Sequence, residues 1–429
     1  MIDVCRIVPV LKKFTSRLLV SLCLLHFDAQ AQGTTEPRFL LLIYASGGWD
    51  PTMVFDNKIA SPYVNVPSGT TGATGGGNIP YVHHADRPAV RTWFDNYGSN
   101  AVIINGVHTP ALDPNGAFKS MFTAIPPGKF RPIDFMTYYA ASLRPNFLAP
   151  HIVFDAPYAS GDYPHITAKI TRTRLSQYLS TTIPNATTLT TDQESNLLVF
   201  QKKAWAKGIN TLHQASLDAD RMRATYGNLL REQKLGETLR AISSKLGSQG
   251  AESHFLRTGK IALEMFAGGA SLSATIQAGR AHYWDSSVNH ISRQNAGFQN
   301  LFADLSLIMN HAQSLGLLDK ISIIVASETG KSPRLNDRQG KEPWPFTSVL
   351  LWGGLFRGGS VQGGTDPFLR GIPIDPIFGN SSSDTKVIPT MGHIFSAIYS
   401  TSGVPYKLIL PNSKPLSIIL STDPGGALR

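Results

Sequence analysis

Phe39-Leu-Leu-Leu-Ile-Tyr-Ala-Ser-Gly-Gly-Trp-Asp50 is an apolar run that stops at a Gly-Gly turn and then an acid. It is short and bounded by turn residues, so residues 39–45 read as a buried parallel strand. Ile321-Ser-Ile-Ile-Val-Ala-Ser-Glu328 repeats the pattern: an apolar run, then an acid. Acids just past the C-terminal ends of buried strands converge on the crevice where open α/β sheets bind ligands. His282-Tyr-Trp-Asp285-Ser-Ser-Val-Asn-His290 adds a third acid, and Gly340-Lys-Glu-Pro-Trp-Pro345 adds Glu342. The layout is that of a metallohydrolase crevice.

Outward from these stretches, strands and helices alternate. Ala101-Val-Ile-Ile104 reads as a second strand, His151-Ile-Val-Phe154 as a third, and Ser348-Val-Leu-Leu-Trp352 as a further one. Asp113-Pro114-Asn115 supplies a helix start. Residues 60–80, rich in Gly, Ser, Thr and Pro, read as a surface loop without a phosphate-loop lysine. From about 190 to 280 the composition turns helical. Ala215 to Leu246 reads as an amphipathic helical hairpin, packed as a cap. Gln299–Leu318 reads as a helix feeding the strand at 321–326, Pro389–Ser400 as a late helix, and Tyr406–Leu410 as a tail strand. The expectation is one α/β/α sandwich domain over 32–429, with a mostly parallel central sheet and a helical insertion at about 190–280.

The first 31 residues read as an export signal. Arg6, Lys12, Lys13 and Arg17 form a basic start, Leu18–Leu25 a short apolar core, and Ala29-Gln-Ala31 a small-x-small cleavage site. The expected location is the periplasm or the exterior. Both cysteines, Cys5 and Cys23, fall in this leader, so the chain after cleavage carries no thiolate metal ligand, disulfide or cysteine nucleophile. No apolar run of about 18 residues marks a spanning helix. The formal charge is +10, and the leader's four bases and two acids leave +8 on the remainder. These bases are scattered. A solvated basic surface follows, without nucleic-acid binding.

The motifs together resemble the uncharacterised, sulfatase-like family of exported bacterial proteins in the alkaline phosphatase superfamily. Ser46-Gly-Gly-Trp-Asp50 is close to that family's opening motif, and Ile261–Ala270 resembles the helix before its Trp-Asp-Thr-His. Ser327-Glu-Thr-Gly-Lys331 resembles Ser-Glu-x-Gly-Arg, and Gly340–Ser348 resembles Gly-Lys-Asp-His-Trp-Pro-x-Thr-Ser. The resemblance implies an alkaline-phosphatase-like sheet and metal ligands at Asp50, Asp285 and Glu328. It also exposes two departures. Ser287 and Pro343 stand where the family carries histidines.

Zinc prefers nitrogen or sulfur donors. The oxygen set Asp50, Asp285, Glu328 and Glu342 suits calcium or magnesium better than zinc. His290 and His393 are candidate replacements for the lost imidazoles; His108, which follows a strand end, is a further crevice candidate, and His83-His84, in a loop, is a weaker one. The opposing reading is structural: Asp50 and Asp285 cap turns, Glu328 pairs with Lys331 or Arg334, and no metal is held. Thr109 and Thr52 are the hydroxyls placed to act as nucleophile, each needing a metal or base. Two functions remain open. One is a metal-dependent hydrolase of sulfate or phosphate esters with a degenerate metal site. The other is a non-catalytic envelope protein that binds an anionic small molecule, glycan or protein partner in the same crevice.

Overall fold

The computed structural model describes residues 38–179, 218–247, 250, 252–379 and 386–421. The export leader and the part of the expected insertion over 190–217 lie outside the described residues. Eight strands form the main sheet: β1 (Phe39–Tyr44), β2 (Ala101–His108), β3 (His151–Phe154), β4 (Thr167–Ile170), β5 (Ser273–Gln277), β6 (Ile321–Ala326), β7 (Phe346–Trp352) and β8 (Ser360–Gly363). Their spatial order is β8-β2-β7-β6-β1-β5-β3-β4. Every neighbouring pair is parallel except the two made by β7, which runs against β6 and β2. The mostly parallel α/β sheet expected from the sequence is present.

The central strands are apolar on both faces because helices cover both. Along β1, Leu41 and Ile43 enter one core layer, and Leu40, Leu42 and Tyr44 the other. The first layer is closed by α1 (Pro88–Tyr97), α4 (Arg172–Leu179), α5 (Asp218–Leu246), α6 (His254–Ala267) and α7 (His290–Ser314). The second is closed by α2 (Pro114–Phe122), α3 (Phe135–Leu143) and α8 (Met391–Thr401). Asp113 caps α2 as its sequence suggests, accepting from the Gly116 N–H at 2.8 Å. No helix among the described residues is long and apolar enough to cross a membrane.

Four sequence expectations are corrected. The stretch read as helical contains β5, a central strand; its Ser, Thr and Gln residues hide the apolar run that marks β1 and β6. The expected hairpin at 215–246 is a single helix, Asp218–Leu246. It contains Gly227 and Gly236 but no proline, and glycine alone costs only about 1 kcal/mol in a helix. The loop at 60–80 includes the strand Thr71–Thr74, paired with Pro80–His83. The expected tail strand is a 3-10 turn at Tyr406–Leu408, with Ile409 and Leu410 buried in the second layer instead of on a sheet edge.

β1, β5 and β6 end level: Tyr44 lies beside both Gln277 and Ala326. The chain therefore leaves these strands at one edge, carrying Asp50, Asp285 and Glu328 with it. Gly47 and Gly48 make the first exit possible. Their φ values are +116° and +83°, and a Cβ on Gly47 would lie 2.4 Å from the Asp285 nitrogen. Trp49 then fixes the loop. It is fully buried, and its indole N–H donates to Thr347 Oγ1 at 2.8 Å.

Candidate functional site

The sheet edge carries two layers of polar groups, one sealed and one open. Asp50 is the centre of the sealed layer and is fully buried. It caps the 3-10 turn Pro51–Met53, as the structural reading of the sequence had it. Oδ1 accepts from the Thr52 N–H at 3.0 Å and the Thr52 hydroxyl at 2.7 Å. Oδ2 accepts from His290 Nε2 at 2.9 Å and from the Lys341 ammonium at 2.7 Å. A carboxylate offers about four lone-pair sites, and all four are used. Because His290 Nε2 carries the donated proton, its Nδ1 accepts from the Ser286 hydroxyl at 2.9 Å. Gln294 closes the network, taking the Asp50 N–H on Oε1 and donating through Nε2 to Ser286 Oγ.

Burial alone would raise the Asp50 pKa. The Lys341 charge and the His290 hydrogen bond outweigh it and hold the carboxyl well below its ordinary range. For His290 burial wins over Asp50, and its pKa is pushed down. The same holds for His151, fully buried, where burial overcomes the pull of Asp134. Both imidazoles thus take up a proton less readily in the folded state than in the unfolded one. Their stabilisation is complete above the unfolded value of about 6.5 and is lost as pH falls below it, by up to about 1.4 kcal/mol per pH unit per histidine. A scan of the unfolding midpoint from pH 8 to pH 5 is expected to fall, with the loss blunted in His151→Gln.

The open layer is a cavity of about 270 Å³ lined by Gly47, Leu112, His282, Asp285, Ser287, Glu328, Thr329, Arg338, Glu342 and Pro343. Three of the four acids marked in the sequence face it. So do Ser287 and Pro343, the two positions where the resemblance implies histidines. Glu328 accepts the Gly47 N–H at 2.7 Å, and burial raises its pKa despite that bond. Behind the wall lies Lys331, its side chain fully buried, with Nζ 2.9 Å from Gly47 O and 3.7 Å from Asp285 Oδ1. Burial lowers its pKa, and the fields of Asp285, Glu328, Asp50 and Glu342 oppose that. One buried ammonium thus sits among all four acids. Arg334 instead reaches the Pro62 carbonyl.

The remaining candidates are dispersed. His290 faces away from this cavity and lines a wider one, about 630 Å³, at the start of α7. His393 sits in a capping box at the start of α8, where its ring bonds Thr390. His108 packs on Phe346, and His84 bonds the Ser68 carbonyl. Thr52 is buried and committed to Asp50. Thr109 is 1 % exposed, and its hydroxyl has no partner among the described residues.

These residues do not fit a tightly held metal. Asp50 has no free lone pair, and two ammonium groups already supply positive charge beside the acids. Among the described residues no three His, Cys, Asp or Glu side chains are grouped to hold an ion. The residues that decide this, Lys341, Lys331, Ser286 and Gln294, were not marked as site residues in the sequence. Lys341 and Lys331 did carry a signal, since each lies inside a quoted motif.

No family model matches the chain, and no curated protein matches it. Among solved structures the chain is similar to the PsFucS1 sulfatase from Pseudoalteromonas sp., at 11% identity and a TM-score of 0.38, over 92% of this chain and 74% of that one. It is similar to alkaline phosphatase from the Antarctic bacterium TAB5, at 10% identity and a TM-score of 0.33, over 76% and 95%. It is also similar to Ps i-CgsB in complex with k-i-k-neocarrahexaose, at 10% identity and a TM-score of 0.40, over 89% and 75%. All three likenesses are at low identity and at TM-scores below 0.5.

Proposed function

We propose that this chain is an exported, sulfatase-like protein whose crevice binds a ligand without hydrolysing it. The carrying observation is the filling of Asp50 by four protein donors, one of them the Lys341 ammonium. Ester hydrolysis needs an accessible nucleophile and something to activate it. Thr52 and Thr109 are both buried, and Thr52 already donates to Asp50. The cavity keeps three acids but only one imidazole, that of His282. The test is turnover of p-nitrophenyl phosphate and p-nitrophenyl sulfate by the purified protein, with and without added zinc, magnesium or calcium, alongside metal analysis. Neither ester is expected to turn over above background, and no stoichiometric metal is expected. Turnover that a chelator abolishes would restore the hydrolase reading.

Export belongs to the same reading and rests on the basic leader and the Ala29-Gln-Ala31 cleavage site. N-terminal sequencing of protein from the cell envelope is expected to begin at or near Gln32. A cytoplasmic protein that retains Met1 would remove this part.

A further inference from the structure

We propose that the hairpin over residues 123–134, far in sequence from the crevice segments, docks the protein on an anionic lipid bilayer, with Phe130 as the side chain that enters it. Thr123 pairs with Asp134 and Ala124 with Ile133, so residues 125–132 form the tip. The Lys129 N–H donates to the Pro126 carbonyl at 3.0 Å and closes a turn, which Ile125 and Phe130 flank. Phe130 is 98 % exposed and Ile125 60 %. A phenylalanine left almost wholly in water forgoes the burial that ordinarily places it in a core. Pro126, Pro127 and Pro132 restrict the backbone around it, so the ring is presented by a stiffened loop.

A neighbouring loop widens this surface. The Ile133–Ser160 bridge and the Asp134 N–H on the Ala159 carbonyl, at 2.7 Å, lay that loop against the base of the hairpin. It exposes Tyr158 and Tyr163, and the Lys169 ammonium lies 5.4 Å from the centre of the Tyr158 ring. Charge then selects the partner. Residues 119–133 and 156–170 hold Lys119, Lys129, Arg131 and Lys169 against one acid, Asp162, which pairs with Lys129 at 3.0 Å. The acids that border these stretches are committed: Asp134 is buried, and Asp155 pairs with His254. Lys119 and Arg131 are exposed and have no acidic partner among the described residues.

An anionic bilayer matches each part. Phe130 and Ile125 bury apolar surface at the acyl boundary. The tyrosines suit the interface, where an apolar ring and a hydroxyl are both satisfied. Lys119 and Arg131 reach the headgroup phosphates while their stems stay against apolar surface. The tip is convex: at Gly128 an added Cβ would meet nothing within 4 Å. A protein partner would need a pocket shaped to receive it, and a bilayer needs none. The chain's overall positive charge draws it toward the same surface.

The test is co-sedimentation of the mature protein, without the leader whose apolar core would itself bind lipid, with phosphatidylglycerol vesicles. Phosphatidylcholine vesicles serve as the comparison. Binding to phosphatidylglycerol is expected, weakened by salt, and at least about tenfold weaker to phosphatidylcholine. Phe130→Ser is expected to lower the partition coefficient by about tenfold or more, and Arg131→Gln by about fivefold. Both side chains are exposed, so the variants keep the fold, and unchanged circular dichroism checks it. Phe130→Trp is expected to retain binding and, relative to the parent, to gain emission that shifts to the blue on phosphatidylglycerol; adsorption through another face would leave that emission unmoved. Absence of binding to phosphatidylglycerol overturns the proposal. So does binding that Phe130→Ser leaves unchanged, which would assign the attraction to the scattered basic surface. A blue shift without lipid that grows with protein concentration would assign the tip to a second copy of the chain and overturn it too. Ester turnover bears only on the crevice, so the two readings fail separately.

Discussion

Replacing Lys341 with methionine is expected to lower the stability of the protein by about 3–5 kcal/mol, the usual cost of leaving one member of a buried ion pair alone. Lys341 and Asp50 are both fully buried, and their 2.7 Å contact is the charge balance of the sealed layer. Without the ammonium, Asp50 keeps only the neutral donors Thr52 and His290. Denaturant titration measures the loss. The companion double variant, Asp50→Asn with Lys341→Met, removes both charges and is expected to recover much of it. A coupling of about 0.5–3 kcal/mol is the ordinary range for residues in contact. A single variant as stable as the parent would mean that the pair is not the balance described, and that Asp50 draws its low pKa from elsewhere.

The second large effect is a gain. Ser287 and Pro343 line the cavity with Asp285, Glu328 and Glu342. Ser287→His with Pro343→His and Glu342→Asp therefore places two imidazoles among three carboxylates, a donor set that zinc accepts. The unmodified protein is expected to show no stoichiometric zinc by calorimetry. The triple variant is expected to bind one zinc with a dissociation constant of about 1 µM, roughly −8 kcal/mol. If the triple variant folds and gains nothing, Lys331 behind Asp285 is what excludes the ion. Lys331→Gln in the same background then separates charge from geometry.

The scaffold was legible where a strand is a contiguous apolar run. Leu40–Tyr44 and Ile321–Ala326 needed nothing beyond burial on both faces. β5 was not legible, because Ser273, Thr275 and Gln277 break the apolar signal while lying between two neighbours that bury them. The edge that gathers Asp50 and Glu328 followed from their places past strand ends, whereas Asp285 was marked by its motif alone, the strand before it having gone unread. What those acids do there did not follow. Asp50 and Lys341 lie 291 positions apart in the chain, and no local pattern says that one will neutralise the other. His290 was marked as a possible ligand. Its role as a donor to Asp50 depends on Ser286 taking up the other ring nitrogen, which only packing reveals.

β6 and β7 are antiparallel neighbours, so the chain that joins them never crosses to the far side of the sheet. Residues 327–345 leave and re-enter at the crevice edge. This one connection carries Glu328, Thr329, Arg338, Glu342 and Pro343 on the cavity wall, and Lys331 and Lys341 beneath it. All eight strands of the main sheet can stay unchanged while that connection is rewritten. A lineage could therefore pass from holding an ion to holding an organic ligand by altering a single surface segment, with loop entropy rising only slowly as its length changes. Transplanting 327–345 between proteins of this architecture tests how far chemistry and scaffold can be inherited separately.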